Sequence, residues 1–392
     1  MELTVHFRFR PTRGASGFIR PEADVEENRV CHAEINAEFL IRSGCDFYDF
    51  SAEASAAPMR ISPRWILNRC AVCSLIFGGF LVRMSSSVSG LADRSVIWET
   101  SELLAYLHSS PWTPGVAVVT HKSFSSTSSL FHLPEDAFMH LLLGARSVAH
   151  LLCESLAVRR CALVHTPQKR SSAELHVVPL HGLESDWKPH LAAEEDFQPF
   201  DPGYISSKSG PRWTDGDLEA VGSRIRSQLP DPKAAPNYTF LGDPYDPGLF
   251  PRIVRGEEKQ WRVWEDDGHV AFLTPFPNTP GLTVLVPRKP LSSDIFRLEE
   301  GDYRRLALAT RKVSGLLEAG LGAWGVGLIF EGFEIDYAHA KLIPLVSDEA
   351  EMSLTCPAQE FFERYPGFVT SVSGPPASRE RLQEICARIT QR

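Results

Sequence analysis

The sequence predicts an α+β protein made of two similar halves, each an antiparallel sheet covered by one long helix. Three segments return along the chain at offsets of 166, 165 and 164 positions: 113–119 as 279–285, 176–180 as 341–345, and 202–204 as 366–368. The repeated unit is far longer than the roughly 20 to 50 residues of a stacked repeat. It has the size of a domain, so the sequence indicates a duplicated domain.

The repeat predicts how the chain is organised. Residues 1–62 have no counterpart and form an N-terminal arm, and its polar, small-residue run 51–58 is typical of a linker. Whether this arm is ordered is left open by the sequence. The first half covers residues 63–229 and the second covers 237–392, with the proline-rich linker 230–236 between them.

Periodicity predicts the elements of each half. Apolar residues at steps of three and four place a stripe on one face of a helix over 299–319, and Gly320 and Gly322 end it. The predicted strands of the second half are 261–265, 269–273, 282–286, 326–331 and 338–343, the first two joined by an Asp-Asp-Gly turn. The first half repeats the long helix over 135–155, and terminal helices are predicted at 217–226 and 378–388. Strand pairs with one amphipathic helix describe a sheet covered on one side.

Composition excludes several classes of function. A hydrophobic share of 43% and a charged share of 23% are ordinary for a soluble globular protein. The net charge of −9 argues against a nucleic-acid-binding surface, which usually needs a basic stripe. Eight scattered cysteines do not form a disulfide framework. No apolar run is long enough for a membrane helix, and the N-terminus lacks a secretory signal, so we expect a cytoplasmic or nuclear protein.

The strongest functional signal lies near the end of the second half. Tyr337, His339 and Lys341 alternate, so in a strand all three side chains point to one face of the sheet. Lysine supplies positive charge, tyrosine a hydrogen-bond donor, and a neutral imidazole a nucleophile or base. This combination suits an anionic phosphate. The alternative is a solvated strand face with no substrate, since short alternating polar triplets are common.

The surrounding sequence resembles the histidine triad (HIT) superfamily, whose signature is His-x-His-x-His, or a variant, before an apolar pair and proline. The segment Ala338–Lys341 resembles a branch in which the third histidine is lysine. Segments 272–281 and 284–288 resemble the strand-turn-strand that precedes the family's helix, and the step 330–332 also matches. The resemblance covers roughly residues 250–345, and it implies two HIT-like domains arranged as an intrachain pseudo-dimer.

The resemblance implies an activity and a set of site residues. Family members bind nucleotides and break a bond at the α-phosphate, with the middle histidine forming a covalent nucleotidyl intermediate. His339 takes that nucleophile position, and Lys341 would hold a non-bridging phosphate oxygen. Tyr337 departs from the pattern, because a phenol does not become a cation near neutral pH. The implied nucleotide-binding residues are Phe272, Phe276, Asn278, Glu331 and Gly332, of which the two phenylalanines would flank the base.

The first half serves as an internal control. Its equivalent triplet is Ser172, Glu174 and His176, which puts a carboxylate at the nucleophile position. A carboxylate there repels phosphate, so we expect this half to be inactive and to replace the second subunit of a family homodimer. The protein is then expected to be a monomer. A second hypothesis, favoured by Tyr337 and by the altered first triplet, is a non-catalytic nucleotide-binding or scaffold protein.

Two metal hypotheses arise from the cysteines. Cys70 and Cys73 form a Cys-x-x-Cys pair that binds zinc if two further ligands approach, with His121, His132 and His165 as candidates. Two partly buried thiols are the simpler interpretation, and no cofactor is expected. The segment 31–37, His-Ala-Glu followed later by that pair, is similar to a zinc deaminase signature. Arg69 stands where that signature expects proline, which argues against it.

Overall fold

The computed structural model describes residues 94–123, 129–167, 173–347 and 358–391, together with the backbone of four strands nearer the N-terminus. The chain divides into two compact units, Met1–Val88 and Ser89–Arg392. In the first unit the four strands form two antiparallel pairs, β1 (Val5–Arg10) with β2 (Asp49–Ala54) and β3 (Cys73–Phe77) with β4 (Phe80–Met84). Cys70 and the deaminase-like segment 31–37 lie outside the described residues.

The second unit is built on one ten-stranded sheet. Its strands are β5 (Val96–Glu99), β6 (Leu103–Leu107), β7 (Ala117–His121), β8 (Cys161–His165), β9 (Glu174–Pro179), β10 (Trp261–Glu265), β11 (His269–Leu273), β12 (Thr283–Pro287), β13 (Gly325–Phe330) and β14 (Ala340–Leu345). In space they follow the order β10-β11-β12-β14-β13-β8-β9-β7-β6-β5, and all neighbours are antiparallel. Counted inwards, the strands run β5, β6, β7, β9, β8 from one edge and β10, β11, β12, β14, β13 from the other, so both sides follow the same relative chain order. Strands β8 and β13 meet at the centre, with Leu163 opposite Phe330.

Five α-helices are described in this unit: α1 (Glu135–Leu156), α2 (Asp215–Arg226), α3 (Leu249–Val254), α4 (Glu300–Leu321) and α5 (Arg379–Thr390). The predicted long helices are confirmed within two residues, because their apolar stripes bury residues such as Leu152 and Leu317 against the sheet. Helix α4 is capped at its C-terminus by Gly322, whose φ of +70° is left-handed. No helix among the described residues is long and apolar enough to cross a bilayer.

We call strands β5–β9 with α1 the first half and strands β10–β14 with α4 the second half. After its last strand, each half sends an extended segment across the other half. The first strap (residues 186–211) bonds to the second half, where Gln198 N–H donates to the Asn278 carbonyl. The second strap (residues 358–377) bonds to the first half, where Phe362 N–H donates to the Trp112 carbonyl. The straps meet at an antiparallel bridge between Ser206 and Thr370.

The helices that follow the straps are exchanged as well. Helix α2 packs against α4 and β10 of the second half, whereas α5 packs against α1 and β5 of the first half. One glycine in each strap allows the close approach. A Cβ on Gly210 would lie 2.0 Å from the Pro277 carbonyl oxygen, and one on Gly374 would lie 2.3 Å from the Pro111 carbonyl oxygen. The Ser-Gly-Pro repeat at 209–211 and 373–375 therefore marks matching contacts with opposite halves.

A buried arginine ties the first turn of the second half to its third strand. The Arg288 side chain is fully buried, and its Nη2 lies 2.7 Å from Glu265 Oε2. Its Nε donates to the Asp266 carbonyl, and its Nη1 donates to the carbonyls of Asn237 and Thr239. Three backbone carbonyls and one carboxylate thus solvate a charge that burial alone would strongly disfavour.

Candidate active site

The predicted triplet lies at the start of β14, but its three residues do not all belong to one strand. The prediction of a strand from Ala338 is wrong at its start, because β14 begins at Ala340 and only Lys341 lies within it. The Tyr337 hydroxyl donates to the Pro287 carbonyl at 2.7 Å, which holds the preceding segment against β12 instead. The Tyr337 side chain is buried, and burial raises the pKa of its phenol, so it stays a neutral donor.

His339 is held in one protonation state. Its Nδ1 lies 2.7 Å from the Tyr337 carbonyl oxygen, which only accepts, so Nδ1 carries the proton and Nε2 keeps its lone pair. The side chain is 5% exposed, and burial lowers the pKa of the imidazole below its ordinary value. The ring of Phe250 on α3 packs edge-on against His339 and Tyr337, with centroid distances of 5.2 and 5.7 Å. A neutral imidazole with a free Nε2 is the form in which histidine acts as a nucleophile.

Lys341 is surrounded by oxygen atoms of the protein. Its Nζ lies 2.9 Å from Glu334 Oε2 and donates to the Ser207 carbonyl of the first strap, also at 2.9 Å. Burial acts to lower the lysine pKa, but the charges of Glu334 and Glu331 outweigh it, so the pKa is raised. The ammonium group is therefore charged at neutral pH. Lys341 in turn lowers the pKa of Glu334 and keeps that carboxylate ionised.

The loop before the triplet is fixed by both straps. Glu331 is buried and accepts a hydrogen bond from the Tyr365 hydroxyl of the second strap, and burial raises the pKa of its carboxyl. Gly332 has a left-handed φ of +82°, and a Cβ there would lie 2.7 Å from the Ser293 carbonyl oxygen. Its own carbonyl accepts from the Trp187 indole of the first strap at 2.9 Å. The backbone of this loop is thus set from outside the second half.

The residues predicted to bind the nucleoside lie in three different settings. Phe272 is buried beside Phe250, with ring centroids 6.0 Å apart, whereas Phe276 is 46% exposed. Asn278 is buried, and its Nδ2 donates to the carbonyls of Ser206 and Lys208, so it anchors the first strap. Their roles in binding a nucleotide remain predictions.

Four residues that contact the predicted site were missed from the sequence: Phe250, Glu334, Ser207 and Tyr365. Glu334 lies seven residues before Lys341, and no pattern in the sequence pairs the two charges. Ser207 and Tyr365 come from the straps, close to the repeated Pro-Gly and Ser-Gly-Pro signals. The repetition of those segments indicated a duplication, but not which half each segment covers.

The first half has a different arrangement at the corresponding positions. Glu174 accepts a hydrogen bond from the Tyr106 hydroxyl at 3.1 Å, and burial raises the pKa of its carboxyl. Burial lowers the pKa of His176, at the position of Lys341, to about 3, so this imidazole is neutral. Ser172 lies outside the described residues. The described part of this triplet offers neither an imidazole at the position of His339 nor a cation at the position of Lys341.

The histidines considered as zinc ligands make hydrogen bonds to the protein. His165 accepts from the Leu130 N–H and donates to the Glu174 carbonyl, and His121 Nε2 lies 2.8 Å from the Ala137 carbonyl oxygen. His132 lies 3.0 Å from Glu318. Within the described ranges, no group of three or more histidine, cysteine, aspartate or glutamate side chains is arranged to hold a metal ion. The side chains of Cys70 and Cys73 are not among those described.

Comparison with known proteins identifies the family. A HIT-like protein of Mesomycoplasma hyorhinis is 30% identical over 101 residues, which cover 24% of this chain and 90% of that protein. The chain belongs to the HIT superfamily. A HIT-like protein of Saccharolobus solfataricus is 29% identical over 109 residues, covering 26% of this chain and 78% of that protein. No protein-family model matches the HIT-like chain.

Among solved structures, the match with a uridylyltransferase covers 75% of the HIT-like chain and 86% of the uridylyltransferase chain, at 11% sequence identity and a TM-score of 0.39. A likeness at this level supports no transfer of function. The resemblance seen in the sequence is confirmed for the family by the relatives above, and the α+β fold with a large antiparallel sheet agrees with it.

The burial of neutral histidines makes the free energy of unfolding depend on pH. Burial lowers the pKa of His165 to about 4 and also lowers that of His339, against about 6.5 in an unfolded chain. The unfolded state then binds protons first as the pH falls, so stability present above pH 6.5 is lost below it. For His165 alone we expect a loss of about 2 kcal/mol between pH 6.5 and pH 5, measured by urea denaturation.

The control for this pH dependence is an exposed histidine. His165→Gln is expected to flatten the decline, whereas His140→Gln, whose side chain is 58% exposed, leaves it unchanged. Equal slopes in wild type and His165→Gln would show that His165 is not the group that titrates.

Proposed function

We propose that the protein is a nucleotide phosphohydrolase or nucleotidyl transferase that acts at an α-phosphate through His339. The observation that carries the proposal is the fixed imidazole: Nδ1–H is bonded to the Tyr337 carbonyl, and Nε2 is left with its lone pair. The lowered pKa keeps this form at neutral pH. Lys341, two positions on, supplies a positive charge close to the imidazole. Membership of the HIT superfamily supports the same assignment.

In the proposed reaction, His339 Nε2 attacks the α-phosphorus and forms a P–N bond while the bond to the leaving group breaks with its electron pair. Water or another acceptor then attacks the phosphorus of this nucleotidyl-histidine. The P–N bond breaks with its electron pair returning to Nε2, and the proton of the acceptor passes to solvent. Charge on the equatorial oxygens needs a positioned cation, a role we assign to Lys341. Because Glu334 is paired with Lys341, the phosphate must replace that carboxylate.

We further propose that the two halves are copies of one unit and act as an intrachain pseudo-dimer. The order of elements repeats inwards from both edges of the sheet, and β8 and β13 join at the centre. The matching strap glycines, Gly210 and Gly374, support the same view. The first half, with Glu174 bonded to Tyr106, is assigned a structural role.

A second candidate is a non-catalytic nucleotide-binding or scaffold protein. It is favoured by the contacts of Lys341, whose ammonium is engaged by Glu334 and by the Ser207 carbonyl. It is also favoured by the burial of His339, which is 5% exposed. Under this view the site around Lys341 binds a nucleotide phosphate without turnover.

Substitutions at the ion pair test phosphate binding. Lys341→Ala is expected to weaken AMP binding at least tenfold, because it removes the only charge assigned to the phosphate. Glu334→Gln is expected to strengthen AMP binding a few fold, because a neutral amide no longer competes with phosphate for the ammonium. Both are measured by calorimetric titration.

The titration is combined with a turnover assay on AMP-amidate and dinucleoside polyphosphate substrates. Binding with turnover selects the enzyme, and binding without turnover selects the scaffold. AMP affinity that is equal in wild type, Lys341→Ala and Glu334→Gln would contradict both functions. The matched charge control is Lys259→Ala, which removes a lysine paired with Asp215 on the surface and is expected to leave AMP binding unchanged.

A further inference from the structure

We propose that a cleft between the two halves is a second binding site, for a nucleoside polyphosphate, separate from His339. The cleft has a volume of about 490 Å³. Its walls come from both halves and both straps: the turn between α1 and β8, the start of the first strap, the loop after β12, the loop after β13, and Arg364 of the second strap. Neither His339 nor Lys341 lines it.

The charge of the cleft favours an anion. Its lining includes five basic side chains (Arg159, Arg160, Lys188, Arg297, Arg364) against three acidic ones (Glu184, Asp186, Asp294). This excess occurs in a chain whose net charge is −9. Four of the five basic groups are guanidiniums, which bind phosphate oxygens through two parallel N–H donors.

Two of these guanidiniums are held by neutral oxygens. Arg160 Nη1 donates to the Ser293 hydroxyl at 2.7 Å, and Arg364 Nη2 donates to the Gly182 carbonyl at 2.8 Å. These contacts fix the direction of each side chain without cancelling its charge. A site that is positioned in advance in this way loses less side-chain entropy when a ligand binds.

An aromatic pair on the wall favours a nucleobase. The rings of Trp187 and Phe333 are stacked at 11° with centroids 6.5 Å apart, and Arg160 lies 5.2 Å from the Phe333 centroid. The Trp187 indole is oriented by its bond to the Gly332 carbonyl, and the side chain is half-buried. We assign the indole face away from Phe333 to the base, because stacking on an aromatic side chain contributes about 1 to 3 kcal/mol per base.

The cleft is not a by-product of the repeat. Aligning Leu163 with Leu328 places Trp324 and Gly325 at the positions of Arg159 and Arg160. Arg297 ends a short 3-10 helix (Ile295–Arg297). In the matching 3-10 helix before α1 (Leu130–His132) the corresponding residue is His132, which lies 3.0 Å from Glu318. The basic lining therefore belongs to one side of the molecule, as expected for a site with its own ligand.

The test is calorimetric titration of the full chain with inorganic tripolyphosphate and with ATP. The cleft variant is Arg159→Ala/Arg297→Ala, because Arg159 is exposed and the Arg297 side chain is 68% exposed, so both tolerate truncation. The matched control is Arg304→Ala/Arg381→Ala, which removes two surface arginines from ion pairs elsewhere. All titrations are repeated in the Lys341→Ala background, which separates the cleft from the His339 site.

The cleft variant is expected to bind tripolyphosphate at least tenfold more weakly than the control, in both backgrounds. Affinity within threefold of the control would overturn the proposal. Trp187→Leu is expected to weaken ATP at least fivefold and to leave tripolyphosphate within twofold. Equal losses for both ligands would overturn the assignment of a base. Loss of tripolyphosphate binding in Lys341→Ala alone would place the anion at the His339 site instead.

Discussion

His339→Ala is expected to lower the turnover of AMP-amidate and dinucleoside polyphosphate substrates by about 10³-fold or more. Removing a nucleophile that forms a covalent intermediate eliminates the pathway, and other groups of the site do not replace it. AMP affinity should change little, because Lys341 and the loop at Gly332 remain. The measurement is steady-state kinetics, with single-turnover trapping of a labelled nucleotidyl-enzyme in wild type.

The first half supplies the matched control. Glu174 occupies the position in the first half that His339 occupies in the second. Glu174→Gln therefore replaces a carboxyl group there with a neutral amide of similar shape. Turnover in this variant is expected within threefold of wild type. Wild-type rates in His339→Ala would rule out the nucleophile, and a similar loss in both variants would indicate a general structural effect.

Arg288→Met is expected to reduce the free energy of unfolding by about 3 to 5 kcal/mol, the usual cost of removing one partner from a buried ion pair. The methionine fills much of the space but leaves the carbonyls of Asn237, Thr239 and Asp266 without this donor. Each buried acceptor that loses its partner costs about 1 to 3 kcal/mol unless water reaches it. Urea or guanidinium denaturation measures the change.

The control for Arg288 is another arginine of the second half. Arg304 lies on the exposed face of α4 and pairs with Glu300 one turn earlier. Arg304→Met is expected to cost less than about 1 kcal/mol, because exposed ion pairs contribute little. A loss at Arg288 no larger than at Arg304 would show that the buried network does not stabilise the fold.

Much of the fold could be predicted because its signals are local. The stripe that includes Leu306, Val313 and Leu317 fixes a helix and its buried face over a few turns. The turn at Asp266–Gly268 fixes a hairpin in the same way, since Asp266 Oδ1 accepts from the Gly268 N–H. His339 was also identified from a short local pattern, although the start of β14 was predicted two residues too early. Backbone pairing with β12 begins only at Ala340, because the Tyr337 hydroxyl is bonded to Pro287.

The remainder depends on contacts between distant parts of the chain. Lys341 meets Ser207 across 134 positions, and Trp187 meets Gly332 across 145. No periodicity in either segment encodes which half a strap will cover, since both halves offer similar surfaces. The ion pair between Glu334 and Lys341 is close in sequence, yet its importance follows from burial, which the pattern of charges alone does not give.

Because the straps are exchanged, each half is covered by residues that follow the other half in the sequence. Lys341, which we propose to hold the phosphate, donates a hydrogen bond to the carbonyl of Ser207, and this residue belongs to the strap that follows the first half. Under the proposed function, selection on the His339 site therefore also constrains the first strap, which follows the half assigned a structural role. Neither half alone would keep this face of its sheet covered, because the covering strap comes from the other half.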